Sequence, residues 1–279
     1  MKLTLLTENN SLFCKFYFAE HGFSAFIEDE GKTILYDTGY SNAFILNAEK
    51  MGFDLTAIDM LILSHGHYDH TGGLKHLIDY YKAKKVTRKP VLKFTSEVLL
   101  LPKFNFEIQE NQGTDVDMET LEKYFDVQMS EEVEKLTSRL YYLGKVPRAN
   151  GFEGRIPQVP KKLVNGEWVE DLVDEDTQLA YLHGNNEVSV ITGCSHNGIC
   201  NIMAYAKQVT GADRINTAIG GLHLQAPPDW LMQATKDFVR QEGIRTFYAC
   251  HCCDFKSRIA LSGVSNVEEA GVGLELVWE

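Results

Sequence analysis

The stretch Ser64-His65-Gly66-His67-Tyr68-Asp69-His70-Thr71-Gly72-Gly73 constrains this chain most, because it sets four potential metal ligands within six positions. It follows directly on Met60-Leu61-Ile62-Leu63, an apolar run short enough to be a buried strand. On an extended segment residues two apart point the same way, so His65 and His67 can grip one ion, whereas on a helix they would diverge. A turn at Tyr68 then swings Asp69 and His70 toward a second ion. Gly66 relieves crowding beside two imidazoles, and Gly72 and Gly73 permit close backbone approach where a helix through Lys75 to Tyr81 begins. Imidazole together with carboxylate suits zinc, with iron and manganese as alternatives. The isolated histidines His21, His76 and His183 read as ordinary hydrogen-bonded residues.

Composition narrows what such a site could serve. The 279 residues carry 27 basic and 39 acidic side chains, a formal charge of −12, and 44% of them are apolar, enough for a large core. One unit spanning 1–279 is expected. An acidic surface repels phosphate backbones over about a Debye length, so extended nucleic acid is not expected as a partner. No run approaches the roughly 20 apolar residues of a membrane span, and Met1 to Glu8 lacks the apolar core of a secretory signal. A soluble cytoplasmic protein with no membrane partner is expected, and the sequence leaves its oligomeric state open. Six cysteines, three of them crowded at Cys250, Cys252 and Cys253, do not form the spaced framework of a secreted scaffold. All six read as reduced thiols and the three crowded ones as packed, since a separate zinc knuckle would need a second cysteine pair at ligand spacing.

Strand signals dominate the first seventy residues, at Lys2 to Thr7, Phe23 to Ile27, Thr33 to Tyr36 and Met60 to Leu63, with helical spacing over Ser41 to Met51. From about 80 to 180 the signals weaken. Glu119 to Phe125 and Ser130 to Leu136 are predicted as short helices, Asn165-Gly166 as a tight turn, and prolines at 147, 157 and 160 break up the approach to the second half. Rhythm returns with strands at Glu187 to Thr192, Ile215 to Ile219 and Arg245 to Ala249, and helices at Asn201 to Val209 and Trp230 to Glu242. The middle, 89–175, is expected to be a less regular inserted lid over the cleft.

The 64–73 stretch resembles the signature of the metallo-β-lactamase fold superfamily, and Leu35-Tyr36-Asp37-Thr38-Gly39 is similar to its first motif. The resemblance implies a four-layer αββα sandwich (α/β class) with the site at its open edge, and it makes Asp37 a residue that orients the ligand loop by hydrogen bonds. An ordinary Asp-Thr-Gly turn is the alternative. In the oxygen-reducing diiron branch a Glu usually stands where His67 stands here, and that departure favours hydrolytic zinc chemistry. Further ordered matches are Gly144 to Arg148, Phe152-Glu153, Asp174 to Leu179, Thr192 to Ile199, Gly220 to Leu224 and His251-Cys252. They resemble a subfamily of dihydropterin ribofuranosylaminobenzene phosphate synthases and uncharacterised bacterial relatives.

Carried over position by position, the resemblance gives one metal His65, His67 and His196, and a second metal Asp69, His70 and His251. An Asp that bridges both ions in many members is missing. Either Cys194 occupies the equivalent place, as a ligand or as a small buried thiol, or His223 replaces the Asp, or the bridge is missing. His223 is implied as a further ligand, a general acid or a substrate anchor. Arg148 could meet a substrate phosphate bidentately, or could form a surface salt bridge. The cofactors expected are two divalent ions, zinc foremost, with iron or manganese possible, and the partner is a small phosphorylated substrate drawn by the ions' charge. The activity implied is metal-dependent hydrolysis of a phosphoester of a nucleotide-like or pterin-like molecule. The alternatives are a transferase joining a dihydropterin to an aminobenzene ribosyl phosphate, and a non-catalytic metal-dependent ligand-binding protein.

Overall fold

A computed structural model describes residues 1–156 and 158–279, so the expectation for Pro157 lies outside the described residues. Among these, two seven-stranded sheets face each other. The first runs in the order Glu275–Val277, Lys2–Thr7, Ser24–Asp29, Lys32–Tyr36, Met60–Ile62, Val91–Phe94 and Asp126–Met129. The second runs Asn266–Val267, Thr246–Cys250, Arg214–Gly221, Glu187–Thr192, Leu179–Leu182, Leu140–Tyr142 and Glu134–Lys135.

Period-two alternation sorts the apolar side chains into three cores. Ala25, Ile27, Ile34, Tyr36 and Ile62 point between the sheets, where they meet Leu140, Tyr142, Leu179, Ile191 and Ile219. Their neighbours Phe26, Leu35 and Leu61 point outward onto the helices Ala43–Met51 and Leu74–Lys84. On the far side Val188, Val190 and Ala218 pack under the helices Ile199–Thr210 and Asp229–Glu242. Helix, sheet, sheet, helix is the αββα sandwich. Burial on both faces explains why these strands read as near-continuous apolar runs.

The middle of the chain is more regular than its sequence suggests. Val91–Phe94 and Asp126–Met129 complete the first sheet, and Glu134–Lys135 and Leu140–Tyr142 edge the second. Glu167–Asp171, Gln158–Val164, Lys103–Asn105 and Glu110–Asn111 make a separate four-stranded sheet. The helix expected over Ser130 to Leu136 is absent. Glu134 and Lys135 pair with Tyr142 and Tyr141 instead, because an edge strand there buries Leu136 between the sheets, and packing overrides weak local propensity. Pro160 does not interrupt its strand. It lies at a register shift between Gln158 and Lys161, where a missing N–H is tolerated. Asn165-Gly166 turns the hairpin as expected. No helix among the described residues is long and apolar enough to cross a membrane.

Candidate metal centre

Parallel pairing fixes where the polar residues gather. Lys32–Tyr36, Met60–Ile62 and Val91–Phe94 are mutually parallel, as are Glu187–Thr192, Arg214–Gly221 and Thr246–Cys250. The carboxyl ends of parallel strands share one edge of a sheet, and loops leaving that edge form the crevice where ligands bind. Asp37, His65, Cys194, His196, His223 and His251 all follow such ends. Asp37, Ser195, His223 and His251 hold left-handed φ values of 58°, 63°, 53° and 50°. Non-glycine residues are uncommon there, and clusters of them mark sites where side-chain direction matters more than backbone comfort.

His65 Nε2 lies 3.1 Å from His67 Nδ1 and 3.1 Å from His196 Nε2. A tetrahedral ion with bonds of about 2.0–2.1 Å would separate its ligands by about 3.3–3.4 Å, a few tenths of an ångström more than these nitrogens stand apart. Ser64 Oγ sits 2.7 Å from Asp37 Oδ2 and 2.9 Å from His65 Nδ1. With the hydroxyl donating to Asp37 it can only accept from His65, which leaves the His65 Nε2 lone pair facing His196. His196 Nε2 meets that lone pair either with its own N–H or, in the other tautomer, as a second buried acceptor at 3.1 Å that only a positive centre between the two would reconcile. Burial holds the His65 and His196 imidazoles well below their ordinary pKa and takes His67 down to about 3, so all three are neutral ligands at pH 7.

The second group is built the same way. His70 Nε2 is 3.0 Å from His251 Nε2, and Asp69 Oδ2 is 3.4 Å from His251 Nε2. Asp37 Oδ2, 2.7 Å from His70 Nδ1, and Asn9 Oδ1, 3.2 Å from His251 Nδ1, accept the outer protons and turn both Nε2 lone pairs inward. Glu8 steadies the same loop by accepting from the His251 amide at 2.8 Å. Burial pulls His70 down, yet Asp69 and Asp37 lift it to about 9. These two carboxylates favour positive charge at His70, which a proton or a metal cation supplies.

Cys194 Sγ falls in both groups, with His65 and His196 and with His70 and His251, and is 3.5 Å from His70 Nε2. It stands between the two groups. Burial pushes its thiol well above the ordinary range, so a thiolate there needs a cation beside it. Cys252 is more than a packed thiol: its Sγ accepts from the His223 amide at 3.2 Å, donates to the Cys194 carbonyl at 3.3 Å and lines the cleft. The His223 ring lies 4.5 Å from that of His196, with Nδ1 buried and without a hydrogen-bond partner.

His21, expected to be an ordinary histidine, stands 3.1 Å from Asp69 Oδ2 and 5.1 Å, ring to ring, from His251. Nothing local marks it, since it reaches the site from a loop before the second strand. Asp176 carries no mark in the sequence beyond its place in the Asp174 to Leu179 match. It lies fully buried 3.9 Å from His65 Nδ1, where burial raises its pKa to about 7. Arg148 is elsewhere. It pairs with Asp174 and donates to the Leu172 carbonyl, the salt-bridge alternative, and lines neither cavity at the histidine cluster. His76 and His183 also lie outside the cluster, and His183 Nε2 is 2.8 Å from Ser189 Oγ.

Beneath the ligand loop Gly66 touches a buried ion cluster. A Cβ there would sit 2.2 Å from the Leu99 carbonyl oxygen and 2.9 Å from Lys103 Cε. Lys103 Nζ, fully buried, is 2.9 Å from Glu175 Oε1 and 3.2 Å from Asp171 Oδ2.

Residues 18–198 match the family model described as the metallo-beta-lactamase superfamily. The chain is 30% identical over 276 residues to uncharacterized protein MJ0448 of Methanocaldococcus jannaschii, covering 97% of this chain and 98% of that one. It is 27% identical over 265 residues to that organism's 7,8-dihydropterin-6-methyl-4-(beta-D-ribofuranosyl)-aminobenzene-5'-phosphate synthase, covering 92% and 89%. A crystal structure of Tm1679, described as a metal-dependent hydrolase of the beta-lactamase superfamily, superposes with a TM-score of 0.83 at 26% identity over the whole of both chains.

Proposed function

Because the chain belongs to the metallo-beta-lactamase superfamily, whose members are mostly metal-dependent hydrolases, we propose that it hydrolyses a phosphoester of a small nucleotide-like or pterin-like molecule with a pair of zinc ions. One observation carries the reading: two sets of inward-turned ligand atoms, with ring nitrogens 3.0–3.1 Å apart, open onto a cavity of about 260 Å³. Structural zinc sites are closed and sulfur-rich, and this one is neither.

His65, His67 and His196 would hold one ion, and Asp69, His70 and His251 the other, with Cys194 between them. Such ions, when bound, polarise a phosphoryl oxygen and lower the pKa of water from about 16 toward 7. The chain's own residues do the rest. Asp37, Ser64 and Asn9 hold three imidazoles in the ligating tautomer. His21 keeps Asp69 turned toward His251. His223 projects from a left-handed strand end into the cleft beside His196, placed to meet an ester oxygen.

The transferase reading has one support, the name of the 27% identical relative. Metal-loaded protein incubated with phosphomonoesters, phosphodiesters and cyclic nucleotides decides between the two. Phosphate or nucleotide release that disappears in His67→Ala, with the fold retained, supports hydrolysis. An inert panel together with condensation of a dihydropterin diphosphate and an aminobenzene ribosyl phosphate would replace it with the transferase. Inactivity in both, with tight metal binding, would leave a non-catalytic binding protein.

A further inference from the structure

A second cavity, of about 210 Å³, lies against the metal cluster and shares His196 and His223 with it. Its walls are Phe152, Leu222, Leu224, Pro227, Pro228 and Leu231, while the amide side chains of Gln158 and Gln225 stand where the two cavities meet. We propose that this cavity is the specificity subsite and that it takes one uncharged planar heterocycle, the organic part of a substrate whose phosphate sits at the metal cluster.

Size, charge and reach lead to this occupant. Sites for drug-sized molecules begin at about 300 Å³, so 210 Å³ suits a single ring system and not a second nucleotide. Among the described residues, no lysine or arginine lines either cavity and the buried Glu153 lines the apolar one, so a second negative group there is disfavoured. The glutamine amides offer donors and acceptors of the kind found along a heterocycle's edge. Reach follows from the shared wall: His196 and His223, their rings 4.5 Å apart, line both cavities, so the two spaces adjoin along these side chains. A linker of a few atoms spans from one to the other. The cavity adjoins His196 and not His251, which puts the organic part on the side of the first histidine triad, with His223 beside the ester oxygen.

This inference rests on the phosphoester reading for the phosphate, but binding of the ring is separable from turnover. Full-length zinc-loaded protein would be titrated calorimetrically with adenosine and with 6-hydroxymethylpterin, rings that carry no phosphate, and with ribose 5-phosphate, which carries no ring. At least one ring compound should bind. Leu231→Trp, in the first turn of its helix and half-buried, should weaken that compound at least tenfold and leave ribose 5-phosphate unchanged. Val159→Trp, at the exposed rim of both cavities, should weaken it as well without touching the core. Failure of both rings to bind wild-type protein, or unchanged affinity in both variants, overturns the subsite even if phosphoesters are hydrolysed. Ring binding lost in the variants, with no phosphoester turned over, upholds the subsite and removes the hydrolase.

Discussion

Asp37→Asn should impair the second metal position while leaving the fold intact. The carboxylate accepts from the Ser64 amide at 2.7 Å through Oδ1, and Oδ2 lies 2.7 Å from both Ser64 Oγ and His70 Nδ1. Asparagine keeps the volume and can keep the Oδ1 contact, but its amide then presents N–H groups to His70 Nδ1. Two donors cannot face each other. His70 would relieve the conflict by moving its proton to Nε2, the atom that faces His251 at 3.0 Å, and would then have no lone pair for an ion. Loss of an outer hydrogen-bond partner typically costs 10–100-fold in metal affinity, about 1.4–2.8 kcal/mol at 1.4 kcal/mol per tenfold. The first position should lose less, because the Ser64 hydroxyl can still rotate between the substituted amide and His65. Titration with zinc against a competing chelator reads the two affinities, and nitrogen-15 shifts of His70 read the tautomer. Two sites of wild-type affinity, or a His70 still protonated at Nδ1, would refute the role given to Asp37.

Lys103→Met should lower unfolding free energy by about 3–5 kcal/mol in chemical denaturation, because it strands Glu175 and leaves Asp171 with Lys162 at 3.1 Å and the Val173 amide at 2.9 Å. Burial lowers the Lys103 pKa but Glu175 and Asp171 outweigh it and raise the group above 10.5. The gap between wild type and variant should therefore hold from neutral pH to about 10 and close as pH climbs through the raised value. Gly66→Ala should destabilise by about 1–3 kcal/mol and weaken zinc binding, since its Cβ would meet the Leu99 carbonyl oxygen at 2.2 Å and displace the loop that bears His65 and His67. An alanine variant with unchanged melting and metal affinity would disprove that close approach. Chelation should lower the melting temperature, reversibly on adding zinc, because an ion at about 1,000 times its Kd stabilises by about 4.1 kcal/mol. A melt indifferent to chelator would argue against any tight site.

Short-range spacing carried much of this protein in its sequence. Period-two runs such as Ala25 to Ile27 and Ile34 to Tyr36 betray strands because neighbouring side chains must enter different cores. His65, His67, Asp69 and His70 announce themselves because all four fall within six consecutive positions, and a match to an ordered motif string brought His196 and His251 to them. Residues that act across the chain left no such trace. His21 gained its role only when the first loop folded over Asp69, and Asp176 and Lys103 only when the middle strands came to lie beneath Gly66 and His65. The segment 130–136 departs from its expected helix for the same reason: its helix-like pattern is local, while its pairing with Leu140–Tyr142 is not. Spacing along a chain fixes which side chains share a face, but a charge, a tautomer or a shared thiol depends on what stands opposite. That partner is chosen by packing between distant segments.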